Sequence, residues 1–470
     1  MFVMSSDASP SPRRRRALRD GSARSLLAGL LVAAACGLGA PVAAETLEEA
    51  LAATYTSNPN LQAARAELRA TDELVPQALS GWRPTAAING ELGEEWEDSN
   101  VGGDETRTPR SANLNITQPL YRGGRTVAGT NQAESLVLAQ REFLLGVEQD
   151  VLLQGVTAYM DVLRDEAVLQ LNINNEQVLQ RQLEAAQDRF TVGEITRTDV
   201  AQAESRLAGA TAQRIAAEGQ LISSRAVYRQ VIGEMPGTLS QTAPASNLPA
   251  SEEETVAGST STPDVRAAEY AEQAAREGVD VVFGELLPQI SLSGDLTTAE
   301  DISTRNVQTD SAAIIARITI PLYQAGSVDS RVREAKQRVS QRRQDIETQR
   351  RFAAQTATTA WRALETARAQ IQSFESQVRA GEIALEGVQQ EAAVGSRTVL
   401  DILDAEQELL DARVSLVQAK RDEVVASYQV LSAVGRLTAL DLGLPVETYD
   451  VERYYHDVRD KWWGLGPPVE

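Results

Sequence analysis

Two periodicities alternate along this chain, and the alternation is then repeated in the same order. Around residues 85–118, Ala86, Ile88, Leu92 and Trp96 alternate with Thr85, Ala87, Asn89 and Glu91, and Ala112, Leu114 and Ile116 alternate with Ser111, Asn113, Asn115 and Thr117. Residues 289–320 do the same, with Ile290, Leu292 and Leu296 against Gln289, Ser291, Ser293 and Asp295, then Ile314, Ala316, Ile318 and Ile320 against Arg317 and Thr319. A period of two sends successive side chains to opposite faces of a strand, so each stretch predicts a hairpin with one apolar and one polar face. After each hairpin the period lengthens. No proline occurs from Leu120 to Met235 or from Leu322 to Leu444, as long helices require. In the second run apolar positions step by seven through Leu364, Ile371, Val378, Leu385 and Ala392, with Ala367, Phe374 and Val388 on the companion seam. That spacing is a coiled-coil pattern.

The two halves are copies. Val192-Gly193-Glu-Ile-Thr196-Arg-Thr-Asp199 and Val394-Gly395-Ser-Arg397-Thr398-Val-Leu-Asp401 share a pattern at an offset of 202, as do Pro119-Leu120-Tyr121 and Pro321-Leu322-Tyr323. Upstream the offset is 204, pairing Pro59 with Pro263 and Pro84 with Pro288, so the first copy has a hairpin loop two residues longer, a tolerated kind of change. The predicted organisation is a signal peptide over 1–44, an N-terminal helical segment over 45–84 and a barrel hairpin over 85–118. A helical hairpin over 119–235 follows, with its tip near 193–199, then a linker over 236–262. The second copy is a helix over 263–288, a barrel hairpin over 289–320 and a helical hairpin over 321–435 with its tip near 395–401, and a C-terminal segment over 436–470 follows. The linker and the C-terminal segment are expected to wrap the middle of the helical region.

Composition removes most kinds of chemistry. The N-terminus carries a basic stretch (Arg13 to Arg16, Arg19, Arg24), an apolar run from Leu26 to Ala40 and the small residues Val42-Ala43-Ala44, the layout of an export signal cleaved before Glu45. Cys36, the single cysteine, lacks the Leu three residues earlier that a lipoprotein signal carries, and it leaves with the signal. Of the 45 basic and 66 acidic residues, 39 and 64 remain after cleavage, a net charge of −25, which argues against nucleic acid as a partner. With His456 the lone histidine and no phosphate-binding G-x-x-x-x-G-K loop, neither triad chemistry, zinc nor nucleotide use is expected. No cofactor is implied, and the chain does not read as an enzyme.

Strands of about 9 to 11 residues with an apolar face suit a membrane barrel. Four strands cannot close one, because open edges leave backbone groups unpaired in hydrocarbon and closed barrels begin at about eight strands. Several chains must share the barrel, and three copies of four strands give about twelve. The expected fold is therefore mostly α with membrane β: a trimeric twelve-stranded barrel, four strands per protomer, on a long α-helical coiled-coil tunnel with an internal two-fold repeat.

The repeated V-G-x-x-T-x-x-D reads as a helix stop, a turn and a helix start. Gly193 and Gly395 suit the left-handed end of a helix, Thr196 and Thr398 suit N-caps, and Asp199 and Asp401 complete capping boxes. Asp404 lies one turn beyond Asp401 where the first copy has Gln202, so it is not needed for capping.

In the order signal peptide, helix, Q-P-L-Y and I-P-L-Y junctions and paired V-G-x-x-T-x-x-D tips, the chain resembles the TolC family of outer-membrane efflux proteins. The closing Tyr454-Tyr455-His456-Asp457-Val458-Arg459-Asp460-Lys461-Trp462-Trp463-Gly464 is similar to the end of members linked to type I secretion. The resemblance implies an outer-membrane homotrimer extending into the periplasm, in contact with outer-membrane lipid. It would work with a periplasmic adaptor of the membrane-fusion type and an inner-membrane ABC or RND transporter. It further implies that Asp401 and Asp404 form acidic rings at the pore gate that select cations. Arg397 would link to Thr198 and Asp199 of the neighbouring coil in the closed state, and Val192, Gly193, Val394 and Gly395 would meet the adaptor. The family's tyrosine in this lock falls at Ala392. Type I protein secretion is the expected use and multidrug efflux the alternative. A non-channel periplasmic coiled-coil adaptor or structural protein is the rival from another class, which leaves the amphipathic strands unexplained.

Overall fold

The computed structural model describes residues 44–100, 103–302 and 305–466. Apart from Ala44, the expected signal peptide, with Cys36, lies outside them. The first copy starts with helices α1 (Leu47–Ser57), α2 (Pro59–Asp72) and α3 (Leu74–Leu79), a 3-10 turn Ser80–Trp82, and strands β1 (Thr85–Leu92), β2 (Glu95–Ser99), β3 (Gly103–Arg107) and β4 (Arg110–Arg122). Helices α4 (Arg125–Thr191) and α5 (Arg197–Ile232) complete it. Helix α6 (Glu252–Gly258) lies in the expected linker, and the second copy is α7 (Pro263–Phe283), β5 (Gln289–Glu300), β6 (Gln308–Thr319), α8 (Ser327–Ala393) and α9 (Val399–Ala433), followed by α10 (Arg453–Arg459). Pro59 and Pro263 open their helices, where a missing N–H costs nothing. Helices α4 and α8 have 67 residues each, roughly 100 Å at 1.5 Å per residue.

Four strands form one antiparallel sheet in the order β1-β4-β5-β6. Its register aligns like with like: Ile88 faces Leu114, Leu114 faces Leu296, and Ile116 lies in the row of Gly294 and Ile314. On the other face Asn113 donates to Thr297 at 2.7 Å and Asn115 to Asp295 at 2.6 Å, so the polar groups of that face bond across the strands. The alternation that ran on to Trp96 is broken in the structure. Trp96 belongs to β2, which pairs with β3 in a separate ribbon. The break falls where Gly93 meets Pro109, a residue with no N–H to continue the ladder.

Helix α4 is the spine of the chain. It packs against α2, α3 and α7 towards the sheet and against α5 towards the tips, while α8 pairs with α7 and then α9. Along the heptad seam Leu364 and Ala367 are buried and Ile371, Phe374, Val378, Leu385 and Val388 half-buried, because α9 covers that side. The opposite side of α8 leaves Phe352 and Ile383 exposed.

A larger core gathers α1, α2 and the middle of α4 with Leu239, Leu437, Ala439 and Leu444. Tyr159 bonds the Glu45 and Ser240 carbonyls at 2.8 and 2.7 Å, and Tyr228 reaches the Glu45 carboxylate at 2.6 Å. These bonds tie the start of the expected mature chain to the linker. The C-terminal segment does not stay in this core. Tyr449 and Val451 pack on it, but α10 packs against α2 and α3, and Lys461 reaches Arg83 at the foot of β1.

Candidate functional site

The two helix-to-helix tips share one backbone turn and one capping box. Gly193 and Gly395 both have φ of +80°, a conformation that costs any residue with a Cβ. The N–H of Glu194 bonds the Arg189 carbonyl at 2.9 Å, and that of Ser396 bonds the Glu391 carbonyl at 3.0 Å, which closes each helix with a Schellman motif. Each following helix opens with a capping box. The Asp199 carboxylate accepts from the Thr196 N–H and hydroxyl at 2.8 Å each, and Asp401 does the same for Thr398. The backbone N–H of Thr398, then its hydroxyl, and then Arg397 hold the Asp401 carboxyl below its usual range, since all three favour the anion.

The charged residues sort differently. Arg397 donates to Glu391 at 2.9 Å and lies 4.0 Å from Asp401, both in its own tip. Glu391 first, and then Asp401, raise the Arg397 pKa. Thr198 and Asp199 are not its partners inside the protomer, where Asp199 is engaged by Thr196. Asp404, which the family resemblance places in an acidic ring, accepts a hydrogen bond from Arg206 on α5 within the protomer. Neighbouring Leu403 is 2% exposed and packs with Leu179, Leu183, Ala186, Ala203 and Ala210. The second tip is thus seated on the first by Leu403, with Val399 packed beside it, and by the Arg206–Asp404 pair. Sequence reasoning misses Arg206 because an ion pair between hairpins follows no helical period. The one sequence signal at this place is the difference between Gln202 and Asp404. Val192 and Val394 are 71% and 81% exposed at the extreme turns.

Among the described residues no group of His, Cys, Asp or Glu is placed to hold a metal ion. No described helix is long and apolar enough to cross a membrane, and the apolar surface sits instead on the sheet, with Ile88, Leu296, Ile314 and Ile318 exposed.

Comparison with known proteins agrees with this architecture. The sequence model described as "Outer membrane efflux protein" matches residues 50–234 and again 260–436, once per copy of the repeat. The outer membrane efflux protein BepC of Brucella suis biovar 1 (strain 1330) is 36% identical over 94% of this chain and 96% of its own length. The outer membrane protein TolC of Vibrio cholerae serotype O1 is 26% identical over 88% and 96%. Among solved structures, the Campylobacter jejuni CmeC outer membrane channel superposes with a TM-score of 0.76 at 15% identity, covering 88% of this chain and 89% of that one, a likeness of fold.

Proposed function

The chain belongs to the outer membrane efflux protein family, and from that premise we propose that three copies close one barrel and tunnel and serve as the outer-membrane conduit of a tripartite exporter. It is a TolC-family outer membrane efflux channel and not an enzyme. The observation that carries the trimer is the pair of open edges: β1 and β6 each have a strand partner on one side only. In hydrocarbon those unpaired N–H and C=O groups demand a second chain, and three sets of four strands meet that demand. The uncovered Phe352 and Ile383 on α8 and Ile215 and Ile222 on α5 supply apolar surface for the same association.

In this assembly the tips form the periplasmic entrance. Asp401 and Asp404 ring the gate and attract cations. Arg397 exchanges its bond with Glu391 for Thr198 and Asp199 of the neighbouring coil when the entrance closes. Ala392, in place of a tyrosine, leaves that lock one contact short. Val192, Gly193, Val394 and Gly395 present the turn to the hairpins of a periplasmic adaptor, and an inner-membrane ABC or RND transporter supplies energy and substrate choice.

We assign the channel to type I protein secretion on the Tyr454 to Gly464 segment. Multidrug efflux is the second reading, favoured by the name of the Brucella suis relative. Envelope crosslinking followed by affinity capture tests both levels. The expected product is a heat-resistant oligomer of three protomers from the outer-membrane fraction, holding an adaptor and an ABC exporter. A monomer in the periplasm would sink the trimer, and an RND pump in place of the ABC exporter would overturn the secretion assignment.

A further inference from the structure

The described part of the C-terminal strap after α10, up to residue 466, lies at the barrel's foot with large apolar side chains uncovered. Trp462 is 64%, Trp463 87% and Leu465 106% exposed, and Trp82 in the turn before β1 is 42% exposed. The strap is held in place. Arg83 donates to the Lys461 carbonyl at 2.7 Å and lies 5.1 Å from the centre of the Trp462 ring, close enough for a cation–π contact. Lys461 closes the turn by donating to the Gly466 carbonyl at 2.6 Å. Tyr454 bonds Glu73 at 2.9 Å, and Arg459 and Tyr455 both reach Glu134 at 3.4 Å, which anchors α10 on α2 and α4.

Two observations say which surface the strap faces. Gln118 lies on the sheet face of Leu114 and Ile116, and its amide donates to the Trp82 carbonyl at 2.8 Å, so the turn that receives the strap sits on the apolar side of the sheet. Arg83, Lys461 and Arg122, whose guanidinium packs on Gly81, bring three cations to this corner of a chain whose net charge is −21. Nearby Asp460 is engaged by Arg459 at 3.6 Å. Indole rings beside cations, level with the ends of membrane strands, match the chemistry of the bilayer interface, where an apolar ring meets a phosphate-bearing headgroup.

We propose that Trp462, Trp463 and Leu465, with Trp82, Arg83 and Arg122, form an interfacial anchor that docks on the phospholipid headgroup layer at the periplasmic side of the outer membrane. The anchor extends the lipid contact of the barrel onto a segment that is not part of it. It fixes the height of the helical region relative to the bilayer at a point far from the tips.

The test uses the full chain in phosphatidylethanolamine–phosphatidylglycerol nanodiscs, with bromine either near the headgroup or deep in the acyl chains. Shallow bromine is expected to quench the unaltered protein more than a Trp462→Phe/Trp463→Phe variant, with deep bromine separating the two less. A Leu465→Cys variant carrying a polarity-sensitive dye gives a second reading that leaves the indoles in place. Its emission is expected to move to the blue and to be quenched by shallow bromine. Equal quenching of the two proteins together with a dye that iodide in water still quenches would overturn the proposal. So would a dye shielded from both quenchers, which would assign the strap to a contact with another copy of this chain.

Discussion

At the residue scale, Asp404 shows how one contact alters the chemistry of a site. An acidic ring attracts cations in proportion to its uncompensated charge, and Arg206 supplies a counter-charge inside each protomer. Both side chains are substantially exposed, Arg206 by 41% and Asp404 by 55%, and a pair in water is worth only about 0 to 1 kcal/mol. The pair therefore contributes little to stability, and its consequence for the proposed gate lies in the charge it neutralises. Arg206→Ala is expected to strengthen block by multivalent cations in planar bilayers, because it frees the Asp404 carboxylates. Asp401→Ala with Asp404→Ala is expected to weaken both block and cation selectivity, and adding Arg206→Ala to that pair should strengthen block less than Arg206→Ala does alone, because no Asp404 carboxylate is left to free. Unchanged block in Arg206→Ala would show that Asp404 does not contribute to the pore's charge. Arg397→Ala removes the cation proposed to bridge coils and is expected to raise closed-state conductance, an effect checked in the same recordings.

At the element scale, α2 carries a buried acid that no hydrogen bond from the described residues serves. Asp72 is 1% exposed, and neither carboxylate oxygen has a partner within the described residues. Burial pushes its pKa from 3.8 up to about 6, Arg141 pulls it part of the way back, and Glu73 pushes it up further. Because the folded value is the higher one, the folded state holds its proton longer than the unfolded chain does. Stability is therefore undiminished below the unfolded pKa, falls as pH rises between about 4 and 6, and stays reduced above that. Asp72→Asn removes the charge without changing the shape. Its midpoint of thermal unfolding should exceed that of the unaltered chain at pH 7.5 and match it near pH 4. An equal gain at both pH values would locate the benefit in packing. The helix ends in the same region are legible in the sequence, since prolines and capping residues act within one turn. The ionisation of Asp72 is not, because its burial depends on α4 and on the α10 strap, residues far along the chain.

At the scale of the whole molecule, the sheet's two faces meet different solvents. Ile314 is 82% exposed in the protomer on the face of Leu114 and Leu296, while Ser311 lies on the face of Asn113 and Thr297. An arginine on the lipid side near mid-bilayer costs about 2 to 4 kcal/mol, while on the lumen side it chiefly changes selectivity. Ile314→Arg should thus abolish the heat-resistant oligomer on gel electrophoresis, and Ser311→Arg should retain it. The reverse outcome would mean that the apolar face lines the lumen. The alternation that separates these faces is legible in the sequence alone, as are the duplicated helical hairpins and their turns. The detached β2–β3 ribbon is not, although Gly93 and Pro109 stand where it begins and ends, because the interruption arises only when the two strands lie opposite each other.

What the sequence determined by itself is everything set by local periodicity and by the duplication: strands with two unlike faces, helices too long for a compact domain, and two tips that stop and restart a helix. These follow because neighbours within a turn or a strand specify them, through φ/ψ preference, capping and the alternation of side chains. The tertiary structure alone decided that Arg206 answers Asp404, that Leu403 seats one tip on the other, and that residues 453–466 leave the middle core for the foot of β1. Those contacts join residues distant along the chain, such as Arg206 and Asp404, 198 positions apart, and Arg83 and Lys461, 378 apart, and their energy depends on which faces the folded chain brings within reach, a relation that no period along the sequence records.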